Sequence, residues 1–114
     1  MQKLISYSKI LGLYEFIQKK HDKFEFMIYE NGRNLSTGQR KKVLLLRALM
    51  TEAKVIILDE IFNGLDKESK SMTEELIQNI NDRAFIIISH MPTDNILFDQ
   101  EYDIKNGVLL KKAA

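Results

Sequence analysis

The chain has 114 residues, no cysteine and a formal net charge of +1, with 45% hydrophobic residues. Its length and apolar content fit one small domain or part of a larger one, and the missing cysteines exclude disulfides, thiolate metal sites and a cysteine nucleophile. The balanced charge predicts neither a nucleic-acid partner nor a polybasic membrane patch, and no apolar run approaches the roughly twenty residues of a membrane-spanning helix.

The spacing of apolar residues at the amino end predicts helix over residues 2–20. Gly12 is expected to divide this helix, because glycine favours a left-handed helix cap and a new apolar stripe starts at Leu13. Residues 21–29 lack a helical stripe, and their aromatic and β-favouring side chains predict an extended segment. His21 is interpreted as a solvated residue, since no second metal-ligand side chain stands near it.

A helix start is predicted by the run Ser36, Thr37, Gly38 and Gln39. Ser36 or Thr37 can cap the helix, and Gln39 completes a capping box three residues after Ser36. The first turn offers backbone N–H groups, a hydroxyl and a glycine that allows close approach, all at the positive end of the helix dipole. These features suit an anion such as phosphate. A capped helix without a ligand remains the alternative.

The body of this helix, residues 43–50, is apolar on nearly every side and is therefore expected to be buried between other elements. Its exposed edges are predicted to carry the four basic residues Arg40, Lys41, Lys42 and Arg47.

Residues 55–58 are a run of Val, Ile, Ile and Leu that ends in Asp59 and Glu60. A run without polar alternation predicts a strand buried on both faces, as in a parallel sheet covered by helices. The two carboxylates then lie at the carboxyl end of the strand, where ligands bind in open α/β sheets. A core strand followed by a solvated acidic turn is the alternative.

A second wholly apolar strand is predicted over residues 84–89, after a turn at Gly64 and a helix over residues 67–81 that Asp66 can cap. Strand, helix and strand within this length predict a βαβ unit with parallel strands. His90 should then emerge at the same sheet edge as the two carboxylates, which favours a functional histidine over a surface residue.

The carboxyl-terminal part of the chain predicts a short helix over residues 94–98 and then a β-hairpin. Its strands are expected at residues 102–105 and 108–111, because Asn106 and Gly107 are a strong two-residue turn signal.

Four separated stretches resemble motifs of the ABC-type ATPases, in the right order and at the right spacing. Residues 35–39 resemble the signature motif, residues 55–60 the Walker B strand, residues 64–66 the D-loop, and residues 89–90 the switch-histidine loop. The chain is thus similar to the carboxyl-terminal half of a nucleotide-binding domain, and the resemblance implies part of a P-loop NTPase α/β fold.

The resemblance also covers the ends of the chain. Residues 1–54 are expected to be a helical subdomain segment with the signature helix, and residues 55–114 the carboxyl-terminal part of the α/β core, including the hairpin. Residues 30–34 are similar to the loop before the signature in exporter-type members, which implies contact with a transmembrane domain. One departure is Thr37, where the family usually has a second glycine.

The resemblance implies a role for each residue at the sheet edge. Asp59 would hold Mg²⁺ through water, Glu60 would orient and deprotonate the attacking water, and His90 would contact the γ-phosphate of ATP. Phosphoryl transfer is catalysed by such positioning and charge neutralisation.

The signature residues are implied to act across a dimer. Ser36, Gly38 and Gln39, with Thr37 beside them, would face ATP held by a second nucleotide-binding domain, and Asp66 would lie at the seam between the two domains.

No G-x-x-x-x-G-K-[ST] run, the phosphate-cradling Walker A motif, occurs in the sequence. The chain is therefore expected to need a Walker A-containing remainder and not to hydrolyse ATP alone. A transmembrane domain is the other implied partner, which would place the chain at the cytoplasmic face of a membrane.

Two other functions fit parts of the pattern. One is the carboxyl-terminal half of an SMC-type DNA maintenance or repair ATPase, but residues 1–29 show no sustained heptads. The other is a non-catalytic interaction module, which the presence of both Glu60 and His90 disfavours.

Overall fold

The computed structural model describes residues 1–20, 22–23 and 34–113. The helices and strands of these residues are, in chain order, α1 (Gln2–Ile10), α2 (Tyr14–Gln18), α3 (Thr37–Leu49), β1 (Val55–Asp59), α4 (Lys67–Gln78), β2 (Ala84–Ile88), β3 (Tyr102–Lys105) and β4 (Val108–Lys111). Part of an α/β fold with parallel strands and flanking helices is thereby confirmed.

The amino-terminal helix is interrupted at Gly12, as predicted. Gly12 has φ of +73° between α1 and α2, a conformation that costs glycine little. The predicted extended segment at residues 21–29 lies outside the described residues, apart from Asp22 and Lys23 in a turn.

The βαβ unit is confirmed. Strands β1 and β2 pair in parallel, in a register that runs from Val55 opposite Ala84 to Asp59 opposite Ile88, and α4 forms the crossover between them. This register brings the residues after both strands to one edge of the sheet.

The core lies against one face of this sheet. Phe62 is fully buried, and Ile56 and Leu58 of β1 join it together with apolar residues of α3, α4 and the α1–α2 junction. The other members of this buried cluster are Leu11, Leu13, Leu45, Leu46, Leu49, Ile61, Leu76 and Ile77.

The prediction that these strands are buried on both faces was wrong for the described residues. Val55 and Ile57 are 52% and 64% exposed, and Ile86 and Ile88 of β2 are 52% and 46% exposed. Burial alternates along β1 because the described helices cover one side of the sheet and leave the other apolar side open.

The burial predicted for α3 is also only half right. Leu45, Leu46 and Leu49 are buried, but Leu44 is 51% exposed, so the helix packs one face and presents another. Lys41, predicted at an exposed edge, is partly buried because its amine reaches a backbone carbonyl, as shown below.

Two predictions about helices near the carboxyl end need correction. Helix α4 ends at Gln78, three residues earlier than predicted, and residues 94–98 do not form a helix. The backbone N–H of Leu97, which would make the first intrahelical hydrogen bond of that helix, donates instead to Gln78 Oε1 of α4 at 2.8 Å.

The hairpin of β3 and β4 is confirmed, with Asn106 and Gly107 at φ of +51° and +75° as a type I′ turn requires. Among the described residues, no helix is long and apolar enough to cross a membrane.

Candidate functional site

Glu60 follows β1 directly, and two hydrogen bonds hold its backbone. Its N–H continues the sheet by donating to the Ile88 carbonyl at 2.8 Å, and its own carbonyl accepts from Lys41 Nζ at 2.7 Å. Its φ is +54°, a region that residues other than glycine rarely adopt and that clusters at functional sites. The carboxylate is thereby turned toward the segment that follows β2.

His90 meets this carboxylate, as the predicted topology requires. Its Nδ1 lies in hydrogen-bond contact with Glu60 Oε1. The imidazole is 92% exposed, whereas the Glu60 side chain is 22% exposed. The histidine therefore lies between the carboxylate and solvent.

The second oxygen of Glu60, Oε2, is buried and has no hydrogen-bond partner among the described residues. A buried carboxylate oxygen without a donor is costly, which fits a group that meets a ligand, such as a water, during function.

Asp59 is exposed at the end of β1, one residue before Glu60. Within the described part of the chain, no three carboxylate or histidine side chains form a metal-binding group. Mg²⁺ usually takes one or two protein carboxylates and completes its shell with water and phosphate oxygens, so a single aspartate fits this cation.

The predicted helix start has the geometry of a capping box. The backbone N–H of Gln39 donates to Ser36 Oγ at 3.1 Å, and the backbone N–H of Ser36 donates to Gln39 Oε1 at 3.0 Å. The amides of Thr37 and Gly38 complete the first turn and have no intrahelical acceptor. Ser36 and Thr37 are exposed, so this turn can meet an anion from outside.

The start of α3 packs on the turn after β1. A Cβ added to Gly38 would lie 3.4 Å from the Gly64 carbonyl oxygen and 3.8 Å from Leu65 Cδ2, ordinary contact distances. One helical turn later, Lys41 bonds to Glu60. The helix that begins with the predicted signature is thus joined to the predicted catalytic carboxylate.

Asp66 caps α4 as predicted, with its carboxylate accepting from the Ser69 amide at 2.7 Å. This backbone hydrogen bond, then a hydrogen bond with the Ser69 side chain, and the nearby charge of Lys42 lower the pKa of Asp66, and desolvation opposes them.

Sequence reasoning missed three residues near the site. Lys41 was assigned to a solvated edge, and the pair Lys70 and Glu74 was not singled out. The only sequence signal for this pair was its i, i+4 spacing, which on most helices marks an exposed ion pair.

Comparison with known proteins supports the family resemblance. The sequence profile of the family described as ABC transporter matches residues 8–63. An ATP-dependent lipid A-core flippase of Pseudoalteromonas translucida (strain TAC 125) is 31% identical over 111 residues, 96% of this chain and 19% of that protein. ATP-binding cassette sub-family B member 5 of Homo sapiens is 32% identical over 102 residues, 89% of this chain and 8% of that protein.

The fold is also found in a solved structure. A bacterial Atm1-family ABC exporter with ATP bound superposes with a TM-score of 0.70 over 79% of this chain and 16% of that one, at 21% identity. The chain spans about a fifth of the length of the flippases that it matches.

Proposed function

Since the chain belongs to the ABC transporter family, we propose that it supplies half of the ATP-hydrolysing site of a nucleotide-binding domain that powers export. The observation that carries this proposal is the contact between Glu60 and His90 at the carboxyl edge of the parallel sheet, next to Asp59. These three groups would supply a base, an imidazole in contact with that base, and a metal ligand at one edge of the sheet.

Glu60 is proposed as the general base. Its carboxylate would accept a proton from the attacking water, and the lack of a partner for Oε2 among the described residues supports this role. The hydrogen bond from Lys41 to the Glu60 carbonyl and the one from the Glu60 N–H to Ile88 fix the backbone. Little reorganisation is therefore needed during the reaction.

His90 is proposed to bind the terminal phosphate of ATP while its Nδ1 holds the Glu60 carboxylate. The exposed imidazole leaves Nε2 open toward solvent, where a phosphate oxygen can approach. Asp59 would hold Mg²⁺ through water, and the cation, when bound, neutralises charge on the phosphate oxygens.

The signature turn is proposed to bind ATP from the opposite side of a dimer. Ser36, Thr37 and Gly38 present a hydroxyl and two first-turn amides at the positive end of α3, and Gln39 braces them through the capping box. Asp66 would lie at the seam of the two domains. Such an arrangement makes hydrolysis depend on dimerisation.

The remaining partners follow from this assignment. A Walker A-bearing segment would supply the phosphate cradle, with residues 1–54 acting as part of the helical subdomain and residues 55–114 as part of the core. A second nucleotide-binding domain and a transmembrane domain would complete a transporter, with this chain on its cytoplasmic side. The chain alone is expected not to hydrolyse ATP.

The test is Glu60→Gln in the complete nucleotide-binding domain. The amide keeps the shape of the side chain but removes the base, so ATP turnover should fall by roughly 10² to 10⁴ while nucleotide binding survives. Glu52→Gln, an exposed change of the same kind, is the control and should leave turnover unchanged. Normal turnover in Glu60→Gln would mean that Glu60 is only part of an acidic turn.

A further inference from the structure

Helix α4 carries a buried carboxylate that the proposed mechanism does not use. Glu74 is 1% exposed, and its Oε1 accepts from Lys70 Nζ at 2.8 Å. The backbone N–H of Asp94 lies 3.3 Å from each of its oxygens, and Asn95 Nδ2 lies 3.4 Å from Oε2. Every one of these partners except Lys70 belongs to the segment after His90.

Lys70 binds the same segment from its other side. Its Nζ donates to the Pro92 carbonyl at 2.8 Å and lies 5.6 Å from the centre of the Phe62 ring in the core. The Lys70 side chain is 12% exposed, so this ammonium is also largely withdrawn from water. Lys70 and Glu74 therefore bind the chain at Pro92, Asp94 and Asn95.

This anchorage bears on His90 because the other contacts that hold it, with Glu60 and through the hydrogen bonds between Ser89 and Met91, are exposed to solvent. The imidazole is 92% exposed, so its position depends on the backbone at each end of its loop. Strand β2 fixes the amino side of the loop, and the two α4 side chains fix the other side, two residues after His90. A buried ion pair is a poor way to gain stability, since apolar residues of the same volume often do better.

We propose that Lys70 and Glu74 are positioning residues for His90, which hold residues 92–95 so that the imidazole stays against the Glu60 carboxylate. The inference rests on the proposed function for its catalytic consequence, but the anchorage itself can be measured without ATP.

The first measurement is amide hydrogen exchange in the full chain. Glu74→Gln removes the charge and one acceptor, so the Asp94 amide should exchange about tenfold faster relative to the Ala84 amide, which bonds to the Lys54 carbonyl. Glu75→Gln, an exposed neighbour on the same helix, is the matched control and should leave the Asp94 amide protected.

The second measurement is ATP turnover in the complete domain. Glu74→Gln should lower kcat by about 10- to 100-fold with little change in the KM for ATP, because His90 is displaced but the phosphate cradle is untouched. The pair Lys70→Met with Glu74→Gln removes both buried charges and should recover thermal stability relative to Glu74→Gln alone. Its kcat should nevertheless stay low, which a purely structural role does not predict.

The outcomes separate this inference from the proposed function. An unchanged Asp94 exchange rate, or a kcat that recovers with stability in the double variant, would overturn the positioning role while leaving the ATPase assignment intact. If the unsubstituted complete domain does not hydrolyse ATP, the proposed function fails, and the exchange experiment still decides whether Glu74 anchors the loop.

Discussion

Thr37 occupies the space that a side chain at Gly64 would need: a Cβ built on Gly64 would lie 2.8 Å from Thr37 Cγ2. Gly64 also has φ of +83°, so two separate conditions require glycine there, one from its backbone and one from its neighbour. The contact joins the first turn of α3 to the turn between β1 and α4. The Thr37 methyl thus packs against Gly64, from a position where the family usually has glycine.

Gly64→Ala should therefore be destabilising for two reasons that can be measured apart. The positive φ costs an alanine about 1–2 kcal/mol, and the clash with Thr37 adds about 1–3 kcal/mol, both visible in urea unfolding of the full chain. Gly107→Ala isolates the first cost, because Gly107 has φ of +75° and nothing within 4 Å of its added Cβ.

The steric part of this cost should be reversible. Thr37→Ser removes the Cγ2 methyl and keeps the hydroxyl, so in the Gly64→Ala background it should restore stability toward the level of Gly107→Ala. If Thr37→Ser changes the free energy of unfolding equally in the parent chain and in the Gly64→Ala background, the two positions are not coupled in solution.

Lys41 should stabilise the chain through the Glu60 carbonyl. Lys41→Met keeps the apolar stem but removes the donor, so we expect unfolding to become easier by about 1.5–3 kcal/mol, the usual range for a hydrogen bond to a charged group. In the complete domain, ATP turnover should also fall, because the backbone at the proposed catalytic carboxylate, Glu60, is less firmly held. Lys3→Met, at an exposed position of α1, is the control and should change neither quantity.

How far the sequence predicts this structure depends on the distance over which each signal acts. Ser36, Gln39 and Asp66 were predicted as caps because each meets a partner three residues away, and the Asn106–Gly107 turn is equally local. The meeting of Glu60 with His90 spans thirty residues but follows from the parallel topology of two recognisable strands.

Contacts that depend on a particular side chain reaching another element were not predictable. Lys41 reaches Glu60 across 19 residues, and nothing in its basic character separates it from Arg40 or Lys42. The helix predicted over residues 94–98 is absent for the same reason, since the Gln78 side chain takes the Leu97 N–H that this helix would need. The open face of the sheet shows that an apolar strand predicts burial by another element but does not identify that element.

The Asp66 cap should make stability depend on pH in the acid range. The Ser69 hydrogen bonds lower the pKa of this carboxyl in the folded chain below its ordinary value of about 3.9. The cap therefore contributes fully above that ordinary value and is lost as the pH falls through the lowered folded pKa.

Asp66→Asn tests this assignment, because asparagine caps helices about as well but does not titrate. The urea midpoint of the parent chain should fall relative to that of Asp66→Asn as the pH is lowered from about 5 toward about 2.5, while the two stay parallel between about pH 6 and 8. Parallel midpoints over the whole range would mean that the Asp66 carboxyl gains nothing from its charge.

Gly38→Asp should distinguish an ATP-binding signature turn from a helix cap. A Cβ at Gly38 would meet its neighbours only at ordinary contact distances, and an acidic residue in the first turn of a helix interacts favourably with the helix dipole. The variant should thus fold as well as the parent chain, as judged by urea unfolding.

In a complete domain, its carboxylate would repel the phosphates of ATP held across the dimer, so ATP-driven dimerisation and turnover should be lost while ATP binding to the Walker A side persists. Gly38→Asn adds a side chain of the same size without the charge and should retain more dimerisation than Gly38→Asp. Normal dimerisation and turnover in Gly38→Asp would mean that residues 36–39 only start a helix.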